Sequence, residues 1–203
     1  MNASDTNPAR RASLSRRTRE TAVELTLDLD GARQVQVSTG LGMFDHMLTA
    51  LAFHAGWDLA LRCEGDLHVD DHHTVEDSCL ALGEALAQAL GPPRGIVRFG
   101  DAHAPLDEAL ARAVVDVSGR PHAEVRLGLR RERLGSVACE NLTHALRSLA
   151  LAARLTLHVD VLRGENDHHR AEAAFKALAL AVRRAVRVSG DVNSIPSAKG
   201  TLS

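Results

Sequence analysis

Tyrosine is absent from this sequence, tryptophan occurs once, and four phenylalanines complete the aromatic set. So sparse a set offers no stacking platform for single-stranded nucleic acid. Charge argues the same way: a formal net charge of −2 gives no electrostatic hold on a phosphate backbone, so no nucleic-acid partner is expected. Cysteine is scarce too. Cys63, Cys79 and Cys139 form no C-x-x-C pair and leave an odd count, which fits a reducing compartment where thiols pack as small apolar groups. No apolar run reaches membrane-spanning length, so no membrane partner is expected. Residues 1–18 are polar, with arginines and no apolar centre of the kind a secretory leader needs. They read as a mobile basic N-terminal tail, and a cytoplasmic location is expected.

Histidine, by contrast, is abundant, with eleven in 203 residues. Four of them sit in two copies of one pattern, Asp71-His72-His73-Thr74-Val75-Glu76 and Asp167-His168-His169-Arg170-Ala171-Glu172, offset by 96 positions (168 − 72 = 96). Each copy opens an apolar-periodic run. Val75, Cys79, Leu82 and Leu86 follow the first, and Ala171, Phe175, Leu178 and Val182 the second, all at the i, i+4, i+7, i+11 spacing of one helix face. Both runs are free of proline and rich in Ala and Leu. Each aspartate stands where an N-cap belongs. On a helical wheel Glu76 and His73 fall off the apolar stripe and His72 at its edge. Adjacent histidines diverge by about 100° and would strain to chelate one ion. Each motif is therefore expected to serve two metal sites rather than one.

The rest of the chain repeats as well. Val23, Leu25, Leu27 and Leu29 alternate with polar residues as a half-buried strand, and Asp30-Gly31 predicts a hairpin turn into a return strand bearing Val35 and Val37. A helix is expected over 43–54 and a strand at 59–63. The first D-H-H helix should run to about Leu90, where Gly91-Pro92-Pro93 stops it. Strands near 97–103, 113–117 and 123–129, a helix over 138–154, a strand at 155–161 and the second D-H-H helix then follow. The helix before each motif also carries a histidine, His46 and His144 (144 − 46 = 98). The predicted fold is α+β, made of internally duplicated β-β-α-β-α half-domains with sheets packed against a helical layer. Residues 19–203 form a single domain of two repeats (about 19–93 and 94–190) and a C-terminal tail.

Imidazole nitrogen and carboxylate oxygen without thiolate suit Mn, Fe, Zn or Ni rather than a structural zinc finger. Duplication predicts two quasi-equivalent ions. Because the polar faces point off each helix's own core, the missing ligands must come from the other half or from another subunit, and other subunits are favoured. His68, His103, His122 and His158 lack metal spacing and read as surface or hydrogen-bonded histidines. Arg98, Arg120 and Lys176, with the Ser/Lys/Gly-bearing run Ile195-Pro196-Ser197-Ala198-Lys199-Gly200, are candidates for anion binding, although each alone is more often a solvated charge.

These motifs resemble one family. G-L-G-M-F-D-H-M-L at 40–48, G-D-L-H-V-D-D-H-H-T-V-E-D at 65–77, P-L-D-E-A at 105–109, V-D-V-S-G-R-P at 115–121, L-R-G-E-N-D-H-H-R-A-E-A-A-F-K-A at 162–177 and I-P-S-A-K-G-T-L at 195–202 are similar to imidazoleglycerol-phosphate dehydratase, in order and from about Arg19 onward. The resemblance implies loss of water from D-erythro-imidazoleglycerol phosphate to give imidazole-acetol phosphate in histidine biosynthesis. It implies Mn(2+), two per active site, and self-association to a homo-24-mer. The implied metal ligands are His46, His72, His73, Glu76, His144, His168, His169 and Glu172. Arg98, Arg120, Lys176, Ser197 and Lys199 would hold the phosphate, and His46, His54, His72, Glu76, His168 and Glu20 would also contact substrate. The implied catalytic groups are Glu20, as a proton shuttle, and Glu172.

The chemistry asked of these residues is coherent. The proton to be lost is barely acidic, having no adjacent carbonyl. A metal pair holding the ring as imidazolate would let the ring's electrons expel the neighbouring hydroxyl, with a carboxylate moving the proton. Thr143 departs from the family's usual Glu before the ligand histidine, which is expected to alter the surroundings of His144. Two alternatives are a metal-dependent phosphoesterase, some of which carry D-H-H, and a non-catalytic shell assembled by metal.

Overall fold

The computed structural model describes residues 9–189 and 193–200. Expectations that fall on 1–8, 190–192 and 201–203 lie outside the described residues. The first half of the chain contains β1 (Arg11–Arg17), β2 (Thr21–Asp28), β3 (Val35–Ser38), α1 (Gly42–Ala55), β4 (Asp58–Gly65) and α2 (His72–Leu90). The second contains β5 (Phe99–Leu106), β6 (Ala109–Asp116), β7 (His122–Arg126), a small hairpin of β8 (Arg133–Leu134) and β9 (Val137–Ala138), α3 (Cys139–Ala152), β10 (Thr156–Arg163) and α4 (Asp167–Ala185).

The two four-stranded sheets have the same topology, β1-β2-β4-β3 and β5-β6-β10-β7. In each, three antiparallel strands end on one parallel partner, β3 against β4 and β7 against β10. The duplication read from the sequence is thus a duplication of sheet order, with one more strand in each four-stranded sheet than β-β-α-β-α provides. Alternation sets the buried faces: Val23, Leu25 and Leu27 lie opposite Cys63, Leu61 and Leu59 in register, all buried.

The helices form the layer between the sheets. α2 packs on β1 and β2, and α4 on β5 and β6. α1 then packs on α4, and α3 on α2, so each half lends a helix to the other. A single core cluster spans both sheets and all four helices. Alanines let α4 approach on several sides at once: Ala171, Ala173, Ala174, Ala177, Ala179, Ala181 and Ala185 are all buried. Among the described residues no helix is long and apolar enough to cross a membrane.

Three local expectations are corrected. Residues 11–17 are not tail but β1, an edge strand paired with β2 from Arg11↔Asp28 to Arg17↔Ala22. Its inward positions are only Ala12, Leu14 and Arg16, so the arginines mask the alternation. Asp30-Gly31 does not close a hairpin. β2 is flanked by β1 and β4, and β3 runs parallel to β4 with α1 as the crossover. A period of two fixes a strand's buried face but not its partner. Finally, neither motif aspartate caps its helix with its side chain. Asp70 and Asn166 accept from the His72 and His168 amides at 2.8 and 2.9 Å instead.

Asp71 and Asp167 are buried and both grip the 130–141 segment. Asp71 Oδ2 accepts from the Ala138 amide and from Asn141 Nδ2, and Asp167 Oδ2 from the Arg130 and Arg131 amides. The two motifs therefore anchor one loop from either side.

Candidate metal centres

Two clusters of three ligand-type side chains occur among the described residues, His72 with Glu76 and His144, and His46 with His168 and Glu172. In each, one nitrogen or oxygen per residue lies within 4.8 Å of the others. In the first cluster, His144 Nε2 is 2.9 Å from Glu76 Oε1, and His72 Nε2 is 4.0 Å from Glu76 Oε2. In the second, Glu172 Oε2 lies 3.0 Å from His46 Nε2 and 3.2 Å from His168 Nε2. The His72 and His144 rings stack at 4.9 Å, and those of His46 and His168 sit 5.5 Å apart. Two imidazoles and a carboxylate converging from two helices, partly open to solvent, fit a divalent ion of borderline softness with positions left for further ligands.

Why these residues meet follows from the layer packing. His46 is one turn into α1 and His168 and Glu172 lie in the first turns of α4; His144 and Glu76 stand likewise on α3 and α2. Parallel packing of each helix pair brings first turns together. Each cluster thus takes its third member from the other half of the same chain. Of the two sources expected, the other half of the same chain supplies His46 and His144, so the preference for another subunit fails for these two residues.

His73 and His169 stand apart from both clusters. The 100° step between neighbours sends His73 and His169 away from the His72 and His168 directions, and the ring planes within each pair stand at 80° and 87°. His73 Nδ1 is 3.1 Å from Asp66 Oδ2, and His169 Nδ1 is 2.8 Å from Glu108 Oε2. A carboxylate only accepts, so Nδ1 carries the proton, while Nε2 of His73 lies 3.8 Å from Glu20 Oε2 and Nε2 of His169 3.9 Å from Asp107 Oδ2. Hydrogen bonds to Asp66 and to Glu108 raise the pKa of His73 and of His169 above the ordinary 6.5. Glu108 is held at about 2, chiefly by the Asn166 amide and then by His169. Burial works to raise Glu172, but Lys176 and His46 outweigh it and hold its carboxyl at about 2.

The other expected site residues divide. Glu20 Oε2 is 3.8 Å from His73 Nε2. Its turn is fixed by Thr18 Oγ, which accepts from the Glu20 and Thr21 amides, and Thr21 in turn donates to the buried Asp77. Lys176 is ion-paired with Glu172 in the second cluster. His54, near the end of α1, has its pKa lowered by burial and then by Lys176. Arg98 lies elsewhere. Its guanidinium pairs with Asp116 and donates to the Pro196 carbonyl at 2.9 Å, and its amide bonds the Ala185 carbonyl at the end of α4. That puts Arg98 beside the segment with Ser197 and Lys199, and beside the turn with Arg120, whose preceding Val117 amide donates to the Arg98 carbonyl. Along α4, nine residues or about 13 Å separate this end from Lys176. One chain therefore does not gather its expected phosphate-binding residues at its metal clusters.

Asp66, Glu108 and Asn141 were given no role by the sequence, although Asp66 and Glu108 sit inside the quoted motifs. Asn141 Oδ1 is 3.1 Å from His72 Nδ1, while its amide nitrogen donates to Asp71. Thr143 makes no hydrogen bond to His144, whose further polar neighbour is the buried Ser148 Oγ at 3.4 Å.

Comparison with known proteins places the chain among relatives of one family. A family model described as imidazoleglycerol-phosphate dehydratase matches residues 39–182. An imidazoleglycerol-phosphate dehydratase of Pyricularia oryzae is 54% identical over 95% of this chain and 97% of its own length. That of Saccharomyces cerevisiae is 59% identical over 83% of this chain and 76% of its own. Among solved structures, the Pyrococcus furiosus protein in complex with (S)-C348 is 37% identical, with a TM-score of 0.80 over 93% of this chain and 100% of that one. With the family model covering more than two thirds of the sequence and full-length relatives above half identity, the chain belongs to the imidazoleglycerol-phosphate dehydratase family.

Proposed function

We propose that the protein dehydrates imidazoleglycerol phosphate to imidazole-acetol phosphate in histidine biosynthesis, as a cytoplasmic enzyme. The observation that carries the reading is the pair of imidazole–carboxylate clusters on quasi-equivalent helices, in a chain whose near full-length relatives bear that enzyme's name. The two clusters would hold Mn(2+), two per active site. Ions there supply Lewis acidity toward the nitrogens of the substrate ring.

The residues of the chain do the rest. His73 and His169, which join neither cluster of their own chain, complete the ligand sets of neighbouring subunits, which couples metal binding to a homo-24-mer. Glu20 shares the neighbourhood of His73 and so travels with it to the neighbour's site, where its carboxylate moves the proton. Glu172, held ionised by Lys176, stays a ligand and not an acid. Arg98, Arg120, Ser197 and Lys199 form the phosphate-binding end, and Lys176 and His54 approach the substrate from the second cluster. The separation of that end from Lys176 in a single chain fits a site assembled from several subunits.

Metal-stripped protein should lose dehydration of imidazoleglycerol phosphate and regain it with Mn(2+). Absence of turnover under both conditions would reject the enzyme reading. Release of phosphate from phosphoesters without dehydration would instead favour a phosphoesterase.

A further inference from the structure

We propose that the two metal clusters have diverged in affinity, so that His72/Glu76/His144 fills first and His46/His168/Glu172 is the weaker, exchangeable site. This rests on the reading of both clusters as metal sites. Duplication alone predicts equal sites, since α2 and α4 superpose by an offset of 96 and α1 and α3 by 98 (168 − 72; 144 − 46). Three differences between equivalent positions, at Asn141, Lys176 and His46, favour the first cluster, although Glu172 is less exposed than Glu76.

Around the first cluster the surroundings favour a bound cation. His72 is backed by Asn141, whose flip is fixed because its nitrogen must face the Asp71 carboxylate at 2.9 Å. Its oxygen therefore accepts the His72 Nδ1 proton, leaving Nε2 with its lone pair for an ion. Asn141 and Asp71 are both buried, so this support is rigid. Among the described residues no lysine or arginine pairs with Glu76, and both of its oxygens face imidazoles.

Around the second cluster those features are replaced. The position equivalent to Asn141 is Met43, and among the described residues nothing bonds His168 Nδ1. The position equivalent to Leu80 is Lys176, whose ammonium is ion-paired with Glu172 Oε1. The lysine withdraws one oxygen from the cluster and leaves Oε2 alone to face His46 and His168. It also sets a fixed positive charge beside any ion that binds, which repels it. His46 is the more exposed of the two upstream histidines, with 46% of its side chain accessible against 34% for His144.

The test is a titration of metal-free, full-length protein with Mn(2+) in the absence of substrate, followed by calorimetry and electron paramagnetic resonance. Anomalous scattering from crystals grown with one equivalent of Mn(2+) would assign the sites. Two affinity classes are expected, with the first equivalent at His72/Glu76/His144. Lys176→Met should tighten the weaker class by roughly tenfold and leave the tighter one alone. Asn141→Met should weaken the tighter class by ~10–100-fold. Should that variant fail to fold, Asn141→Ser withdraws the oxygen without added bulk and should weaken the same class. Equal occupancy of both clusters at one equivalent, filling in the opposite order, or a weaker class unmoved by Lys176→Met would overturn the proposal. Absence of bound Mn(2+) at both clusters would remove the metal reading and this inference together.

Discussion

Glu76 Oε1 and His144 Nε2 lie 2.9 Å apart, one on a helix of the first half and the other on a helix of the second. The contact exists because α3 packs on α2 and not only on its own sheet. Losing either partner therefore breaks a site inside the chain before it affects any contact between chains. His144→Ala should reduce bound Mn(2+) toward half of the parent value, measured by elemental analysis on protein of known native mass. Dehydration should fall at least ~10²-fold, as when a directly acting group is lost. A full metal complement in His144→Ala would show that His144 is not a ligand.

How far this could be read beforehand differs residue by residue. The two D-H-H helices were legible because Val75, Cys79, Leu82 and Leu86 hold one face at helical spacing. The divergence of His72 from His73 was legible too, since it follows from the helical step alone. Which helix meets which was not. An apolar stripe says that a face is buried but not against what, so His144 meeting Glu76 had to await the layer packing. Nor were Asp66, Glu108 and Asn141 legible in role, because a hydrogen bond to an imidazole Nδ1 depends on distance and not on spacing. β1 was hidden by composition: with Arg11, Arg16 and Arg17 in seven residues, its Ala12 and Leu14 are too few to signal a strand.

Asp66 and Glu108 should act on assembly more than on the fold. Each orients a histidine that stands outside both clusters of its own chain, and each is at the surface or half-buried. Asp66→Asn and Glu108→Gln keep the shape but lose the charge that fixes Nδ1–H. Mn(2+) affinity should drop ~10–100-fold in each. Sedimentation at limiting Mn(2+) should shift toward smaller species, recovered at high Mn(2+). A parental profile at limiting metal in both variants would dissociate these carboxylates from assembly.

The His169–Glu108 pair also sets a pH window for metal-free protein. Glu108 is depressed to about 2 from 4.5, so its contribution is present above pH 4.5 and is lost as pH falls toward 2. His169 is raised above 6.5, so its contribution is full below pH 6.5 and is lost as pH rises through the higher folded value. The His73–Asp66 pair adds a loss of the same sign on the alkaline side. Thermal stability in the presence of chelator should therefore be greatest between these limits and decline above pH 6.5. The alkaline decline should shrink in the Asp66→Asn, Glu108→Gln double variant. An identical decline in that variant would assign it to other groups.

Gly83 governs how closely α2 and α3 approach, and through them the first cluster. A Cβ at this position would stand 2.5 Å from the Leu149 carbonyl oxygen and 2.7 Å from Ala152 Cβ. The nearest atom is backbone, so a side-chain rotation cannot relieve the clash. In an open helix Gly→Ala would gain about 1 kcal/mol. Here overpacking costs about 1–3 kcal/mol, and relief requires α3 to move off α2. Gly83→Ala should therefore lower Tm by about 2–4 °C per kcal/mol of net loss for a chain of this size. The same displacement separates His144 from Glu76, so Mn(2+) binding at the first cluster should weaken while His46/His168/Glu172, carried by α1 and α4, keeps its affinity. Equal weakening at both clusters would mean that the helical layer moves as one body, and an unchanged Tm would mean that α3 yields at no cost.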